Sequence, residues 1–132
     1  MITSSSHHHH YCSQKKPYPK VLGEGDGDIG VWNYNLSHHG RYVGIAAHAK
    51  HLVGCDIVDL RTRTRLASDC ASYVQLFAKQ LHPRETEAIL SQEGEDSRYN
   101  MFFIVWSLKE AYVKALGQGL GFDLQSLSFE IT

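Results

Sequence analysis

The stretch NMFFIVWSLKEAYVKALG, residues 100–117, decides how this chain is read. Its apolar residues recur at helical spacing on two sides. Met101, Ile104, Val105, Leu108, Tyr112 and Leu116 cover one side, and Phe102, Phe103, Trp106 and Val113 cover most of the other. A helix so apolar around its circumference is expected to be buried. Asp96 and Ser97 offer its start and Gly117 its stop, so a helix is predicted over residues 100–116. The remaining polar stripe is narrow: Asn100, Ser107, Glu110 and Lys114, with Lys109 flanking it. Taking an ionised group out of water costs several kcal/mol unless it is paired or bound to a metal, so Glu110, Lys109 and Lys114 all need partners. Two partnerships are open. Glu110 and Lys114 stand at i,i+4, the spacing of an ordinary helical ion pair. Alternatively their partner lies on another element.

Upstream of this helix the pattern belongs to a sheet. Residues 31–36, VWNYNL, alternate bulky and polar side chains, His38, His39 and Gly40 supply a turn, and residues 42–47, YVGIAA, return, which predicts an antiparallel hairpin. Residues 52–60, LVGCDIVDL, read as a third strand, with Val53, Cys55 and Ile57 on one face and Gly54, Asp56 and Val58 on the other. Aspartate is depleted in strands and costly when buried alone, so Asp56 in this apolar setting is a candidate for chemistry. Residues 66–81 carry apolar positions at helical spacing and predict a helix stopped by Pro83. Pro83 can itself open a short helix over residues 84–91. Residues 124–131 predict a last strand. The fold class expected is α+β, an antiparallel sheet packed on a long buried helix.

Composition bounds the rest. The chain has 132 residues, 42% hydrophobic and 20% charged, enough for one globular domain, and its formal charge of −1 offers no broad basic surface for nucleic acid. No apolar run approaches the roughly 18 residues of a membrane span, and the start lacks the apolar core of a secretory signal. The protein reads as cytoplasmic, with neither nucleic acid nor membrane among its partners. Cys12, Cys55 and Cys70 are an odd set without metal-site spacing and read as free thiols. Four of the nine histidines form the run 7–10, inside a tag-like or disordered leader assigned to residues 1–14. The low apolar content that marks this leader continues to about residue 30. His39, His48 and His51 read as ordinary surface or core histidines. Arg61, Arg63 and Arg65 read as a solvated face, and Gly117, Gly119 and Gly121 as a helix stop and tight turn.

If the third strand and the long helix are neighbours, Asp56 and Glu110 face one point with Lys109 and Lys114 beside it. Two carboxylates with open positions suit Mg²⁺, which takes one or two protein carboxylates, water and phosphate oxygens, and the lysines suit the same phosphate. A site of this kind transfers a group by positioning and electrostatics.

Three motifs then carry a resemblance. Residues 35–38, NLSH, residues 54–56, GCD, and residues 106–117, WSLKEAYVKALG, resemble in order and spacing the motifs of the 4′-phosphopantetheinyl transferase superfamily. Lys16-Pro17 matches the family's GKP element, with Lys15 in place of glycine. The order of motifs resembles the long, surfactin-synthetase-activating type. The tail after Gly117 most resembles the eukaryotic branch that serves aminoadipate-semialdehyde dehydrogenase. The matching part, residues 15–132, would be a partial transferase domain, about one half to two thirds of a pseudo-dimeric fold.

The resemblance implies transfer of 4′-phosphopantetheine from coenzyme A to a serine of an acyl or peptidyl carrier protein, with release of 3′,5′-ADP. It implies Mg²⁺, with Mn²⁺ as its substitute, on Asp56 and Glu110. Glu110 and Lys114 would be catalytic, Glu110 as the base for the carrier serine. Lys16, Asn35, Ser37, His38, Lys109 and Lys114 would hold the coenzyme. A full-length protein would be a monomer. Many bacterial members have a second acid two residues after the GxD aspartate. Here that place is Val58, and Asp59 is one position off on the opposite face. Most of the first subdomain and the end of the second are expected to be missing, so an apolar surface should stand exposed. A different class of function also fits: a truncated, catalytically weak or inactive fragment that serves as a carrier-protein or coenzyme A docking module.

Overall fold

The computed structural model describes residues 33–62 and 69–131. β1 (Asn33–His39) and β2 (Tyr42–His48) form an antiparallel pair in which Leu36 faces Ile45 and Ser37 faces Gly44. The turn between them is Gly40-Arg41. Gly40 has φ +58, the sign that a type II′ turn needs at its first central residue and that glycine adopts without strain. After β2, the His48 Nδ1 accepts the N–H groups of Lys50 and His51 at 3.0 Å each and closes the next bend.

Three helices follow: α1 (Cys70–Gln75), α2 (Pro83–Leu90) and α3 (Glu95–Leu116). Asp69 caps α1 by accepting the Ser72 N–H at 2.8 Å. α2 opens with a capping box: the Glu85 carboxylate accepts the His82 N–H, the His82 ring accepts the Arg84 N–H, and Pro83 sits where its missing donor costs nothing. α3 ends at Gly117, whose φ of +68 makes the left-handed cap.

Four expectations are corrected. The predicted helix over residues 66–81 is helical only as α1. Beyond Gln75 the bonds tighten, Leu76 to Tyr73, Phe77 to Val74 and Ala78 to Gln75, so the apolar spacing persists without a continuous α-helix; residues 66–68 lie outside the described part. The long helix starts five residues earlier than predicted, where Gly94 supplies the N-cap and Glu95 and Asp96 complement the dipole in the first turn. It is not buried all round: Ile104, Leu108, Tyr112 and Leu116 form an exposed stripe, while Tyr99, Phe102, Val105, Lys109 and Val113 face inward.

The fourth correction concerns the sheet. Neither residues 52–59 nor residues 127–131 pair as strands. The first segment is extended, but its N–H groups go to side chains. Cys55 N donates to Asn35 Oδ1 at 3.1 Å, Ile57 N to Ser37 Oγ at 3.1 Å and Asp59 N to His39 Nδ1 at 2.9 Å. Alternate residues of the segment meet alternate residues of β1 at a constant offset, so the two run parallel and in step. The Ile57 side chain fits over Gly44, where an added Cβ would lie 2.6 Å from its Cδ1. The segment therefore covers the polar face of the hairpin, and the facing predicted from alternation holds: Cys55 and Ile57 turn to the hairpin, Gly54 and Asp56 to α3.

The core lies at the first half of α3. Cys70, Tyr73, Val74, Leu81, Ile89, Tyr99, Phe102 and Val105 are buried together, and Phe77 and Trp106 pack on them with ring centroids 4.9 Å apart. Burial pushes the Tyr73 phenol above its ordinary range, with the neighbouring Cys70 adding to the effect. The second half of α3 holds Lys109, which is fully buried with Glu85 of α2 at 2.8 Å. Lys109 Nζ also donates to the Leu124 carbonyl at 2.7 Å and the Leu127 carbonyl at 2.5 Å, and Glu85 Oε1 accepts the Phe129 N–H at 3.0 Å. The tail is thus tied down by one ion pair in place of a partner strand.

Breaking a buried pair by removing one partner leaves the other charge uncompensated. Lys109→Met and Glu85→Gln are each expected to cost about 3–5 kcal/mol, read from the midpoint of urea unfolding. The outer face of the hairpin makes a second prediction. Leu36, Val43 and Ile45 stand there 56%, 77% and 68% exposed, and apolar sheet surface of this kind drives association. Light scattering should show self-association that Ile45→Lys reduces; a monodisperse wild-type monomer would refute this.

Candidate active site

The site is assembled by a glycine. An added Cβ at Gly54 would lie 1.8 Å from the Ala111 carbonyl oxygen and 2.8 Å from the Ala115 nitrogen. Only hydrogen fits there, so the chain lies directly on the last turns of α3. Alternation then turns Asp56, two residues on, toward the same helix.

Asp56 Oδ1 meets Lys114 Nζ at 2.5 Å. The Ser37 hydroxyl donates to the same oxygen at 3.0 Å and accepts from Lys114 Nζ at 3.2 Å and from Ile57 N at 3.1 Å. One donation and two acceptances use the whole capacity of a hydroxyl. The side chains of Lys114 and Asp56 are 33% and 12% exposed, so this cluster sits at the rim of the protein. Glu110 lies one turn before Lys114 on α3, half-buried, and makes no hydrogen bond or ion pair among the described residues. The helical i,i+4 pair therefore does not form, because Lys114 turns to Asp56. Asp56 Oδ2 is likewise unengaged among the described residues.

The structure brings together Asp56, Lys114 and Ser37, with Glu110 beside them on the helix, and separates the rest. Lys109 stands apart from them, its three N–H donors going to Glu85 and two carbonyls inside the fold. Asn35 is buried, with its Oδ1 accepting from the Cys55 N–H and thiol. Ser37 holds the Asp56–Lys114 pair and has no lone pair left for a ligand. His38 is exposed and, by strand alternation, on the opposite face of β1 from Ser37. Lys16 and Cys12 lie outside the described residues, as do Arg63, Arg65 and the leader.

Two neighbours escaped the sequence reading. His39 shares the face of Asn35 and Ser37 and completes the ladder to residues 55–59; polar residues at every second position of β1 are the signal that could have found it. Arg61 is not a free solvated cation: its Nε lies 3.0 Å from Asp59 Oδ1 and its guanidinium donates to the Tyr42 hydroxyl. Hydrogen bonds from the Arg61 side chain hold the Asp59 carboxyl below the usual carboxylate range. Asp59 is thus engaged away from Asp56, as its place on the opposite face predicts. Cys55 is a free thiol, and Cys70 is buried in the core.

The close approach at Gly54 gives a sharp prediction. Gly54→Ala forces a methyl into helix backbone and should cost about 3 kcal/mol or more in urea unfolding, at the upper end for overpacking. Stability within 1 kcal/mol of wild type, by the same about-1-to-3 yardstick, would show that the segment does not rest on α3 in solution.

Comparison with known proteins places these features. The profile of the 4′-phosphopantetheinyl transferase superfamily matches residues 52–132, which include both Asp56 and the whole of α3. An L-aminoadipate-semialdehyde dehydrogenase-phosphopantetheinyl transferase of Xenopus laevis is 34% identical over 117 residues, 89% of this chain and 38% of that protein. The Homo sapiens protein of the same name is 35% identical over 76% of this chain and 32% of its own length. A 4′-phosphopantetheinyl transferase of Bacillus subtilis is 27% identical over 88% of this chain and 44% of its own length. The chain thus spans from about a third to under half the length of these relatives. With more than half of its residues matched, the chain belongs to the 4′-phosphopantetheinyl transferase superfamily.

Proposed function

We propose that this chain carries the cation and phosphate end of an enzyme that moves 4′-phosphopantetheine from coenzyme A to a serine of an acyl or peptidyl carrier protein. The observation that carries the reading is the meeting of Lys114 and Asp56 across two of the three motifs, with the carboxylate of Glu110, unpartnered among the described residues, one turn along.

The donor set fits Mg²⁺. Asp56 Oδ2 and both Glu110 oxygens are hard ligands, unengaged among the described residues. The described residues hold no group of three His, Cys, Asp or Glu that would form an all-protein cage. A cation that keeps several waters and takes one or two carboxylates plus phosphate oxygens suits such a pair; Mn²⁺ accepts the same ligands. Bound there, it supplies charge neutralisation on the coenzyme A pyrophosphate.

The chain's own residues do the rest. Lys114 has one N–H left after Asp56 and Ser37, and that donor, charge-assisted, suits a phosphate oxygen. Glu110, without a partner among the described residues, can take the proton of the carrier serine hydroxyl as its oxygen bonds to phosphorus and the bond to 3′,5′-ADP breaks. Ser37 fixes Asp56 and Lys114 relative to each other and is a positioning residue. His38, exposed at the end of β1, is available to a phosphate that approaches from the outer face of the hairpin. The free thiol of Cys55 supports a cytoplasmic setting.

A second reading rests on the exposed outer face of the hairpin: a docking module that binds coenzyme A or a carrier protein without turnover. One experiment separates the two. An apo carrier protein is incubated with coenzyme A, Mg²⁺ and the chain, and its mass is followed for the phosphopantetheine adduct. The transferase reading predicts an adduct whose rate falls about 10²-fold or more in Asp56→Ala and in Glu110→Gln, the scale of a lost base or electrostatic contact. Turnover that survives both substitutions overturns the site. Bound coenzyme A without any adduct establishes the docking module.

A further inference from the structure

The cluster around Asp56 holds its own cation. Lys114 Nζ and the Ser37 hydroxyl both bond Asp56 Oδ1, and the ammonium at 2.5 Å neutralises the carboxylate that a divalent ion would need. Repulsion between the ammonium on Oδ1 and a dication on Oδ2, only a few ångströms apart, disfavours their sharing the carboxylate. An ammonium on a four-carbon stem at 33% exposure can leave; a buried one such as Lys109, with every donor used, cannot.

We infer that Lys114 is an exchangeable internal counter-ion for Asp56, so that a divalent cation and a phosphate group enter this site cooperatively. The inference rests on the reading of Asp56 and Glu110 as the cation's ligands. A cation arriving on Asp56 displaces Lys114, and the freed ammonium then has all three donors for an anion. An anion arriving first draws Lys114 off Asp56 and bares the carboxylate for the cation. In either order the cost of opening the Lys114–Asp56 pair is met once and shared by both ligands, which is positive coupling between them. Ser37 keeps Asp56 in place during the exchange, because its hydroxyl stays anchored by the Ile57 N–H. A site built this way discriminates against either ion alone and favours the pair that a metal-bound pyrophosphate presents.

The test is ammonium-selective proton–nitrogen NMR on the whole chain, with Mg²⁺ and inorganic phosphate as probes. Two protected lysine signals are expected, one of which disappears in Lys114→Met and is thereby assigned. Mg²⁺ should shift or broaden that signal and leave the Lys109 signal in place, and phosphate alone should do the same. By calorimetry, Lys114→Met should bind Mg²⁺ about fivefold or more tightly than wild type, the lower end of usual coupling factors. Lys79→Met, which removes the same charge from an exposed turn, should bind as wild type does. Phosphate should tighten Mg²⁺ binding more in the wild type than in Lys114→Met, where only direct ligation of the ion by phosphate remains. Saturable Mg²⁺ binding that is lost in Asp56→Asn, yet leaves the Lys114 signal unmoved and is not tightened in Lys114→Met, overturns the exchange while the metal site stands. Absence of any Mg²⁺ binding sensitive to Asp56→Asn overturns the metal site and the exchange with it.

Discussion

The pair of Lys109 and Glu85 is the constraint on which the second half of the molecule depends. Two ionised side chains stand in the interior without access to water, and such a pair persists only if both ends are saturated with hydrogen bonds. They are: the ammonium spends three donors and the carboxylate accepts from Lys109, His82 N and Phe129 N. That requirement joins α2, α3 and the tail at one point. It also sets the rotation of α3. With Lys109 pointing inward, the helical repeat of about 100° per residue places Glu110 and Lys114 roughly 100° and 140° round the axis, in one sector at its edge. Lys114 meets the segment 52–59, with Glu110 in the same sector of the helix, because Lys109 turns inward.

The hairpin and that segment obey a different constraint, the need of every buried N–H for an acceptor. A third strand would have satisfied the N–H groups of Cys55, Ile57 and Asp59 through backbone carbonyls. Here the acceptors are Asn35, Ser37 and His39, spaced like a strand edge but built from side chains. This arrangement lets the segment lie over the face of the sheet, between hairpin and α3, where Gly54 and Asp56 can reach the helix. Two residues of the NLSH motif are thereby explained without a ligand: Asn35 and Ser37 hold the aspartate segment in register.

Much of this was legible in the sequence. The hairpin, α2, the stop at Gly117 and the two faces of residues 53–58 follow from local rules of alternation, proline and glycine. The long helix was legible except for its first turn, since Gly94 as N-cap carries no side-chain signal. The meeting of Asp56 with Lys114 came from the logic of buried charge and from the motif resemblance together. What could not be read was how lysines and polar motif residues divide their work. Lys109 and Lys114 are the same residue type five positions apart, and no local pattern says that Glu85, on another helix and inside a capping box, waits for one of them. Side-chain acceptors in place of a strand are also a tertiary choice, because alternation assigns the faces and is silent on the bonding partner.

Counting donors separates the two lysines better than their positions in the motif do. Lys109 has three partners, no exposure and a role that ends inside the fold. Lys114 has two partners, a third donor toward solvent and an aspartate that can give it up. The first lysine stabilises through complete saturation; the second is useful to chemistry because its saturation is incomplete. The same distinction sorts the acids. Glu85 is fully engaged and structural, whereas Glu110 has no partner among the described residues and Asp56 keeps one oxygen free. A charged group left partly unsatisfied at the edge of a protein carries a free-energy cost that a ligand can relieve. Among the described residues around the last turns of α3, Asp56, Glu110 and Lys114 are such groups.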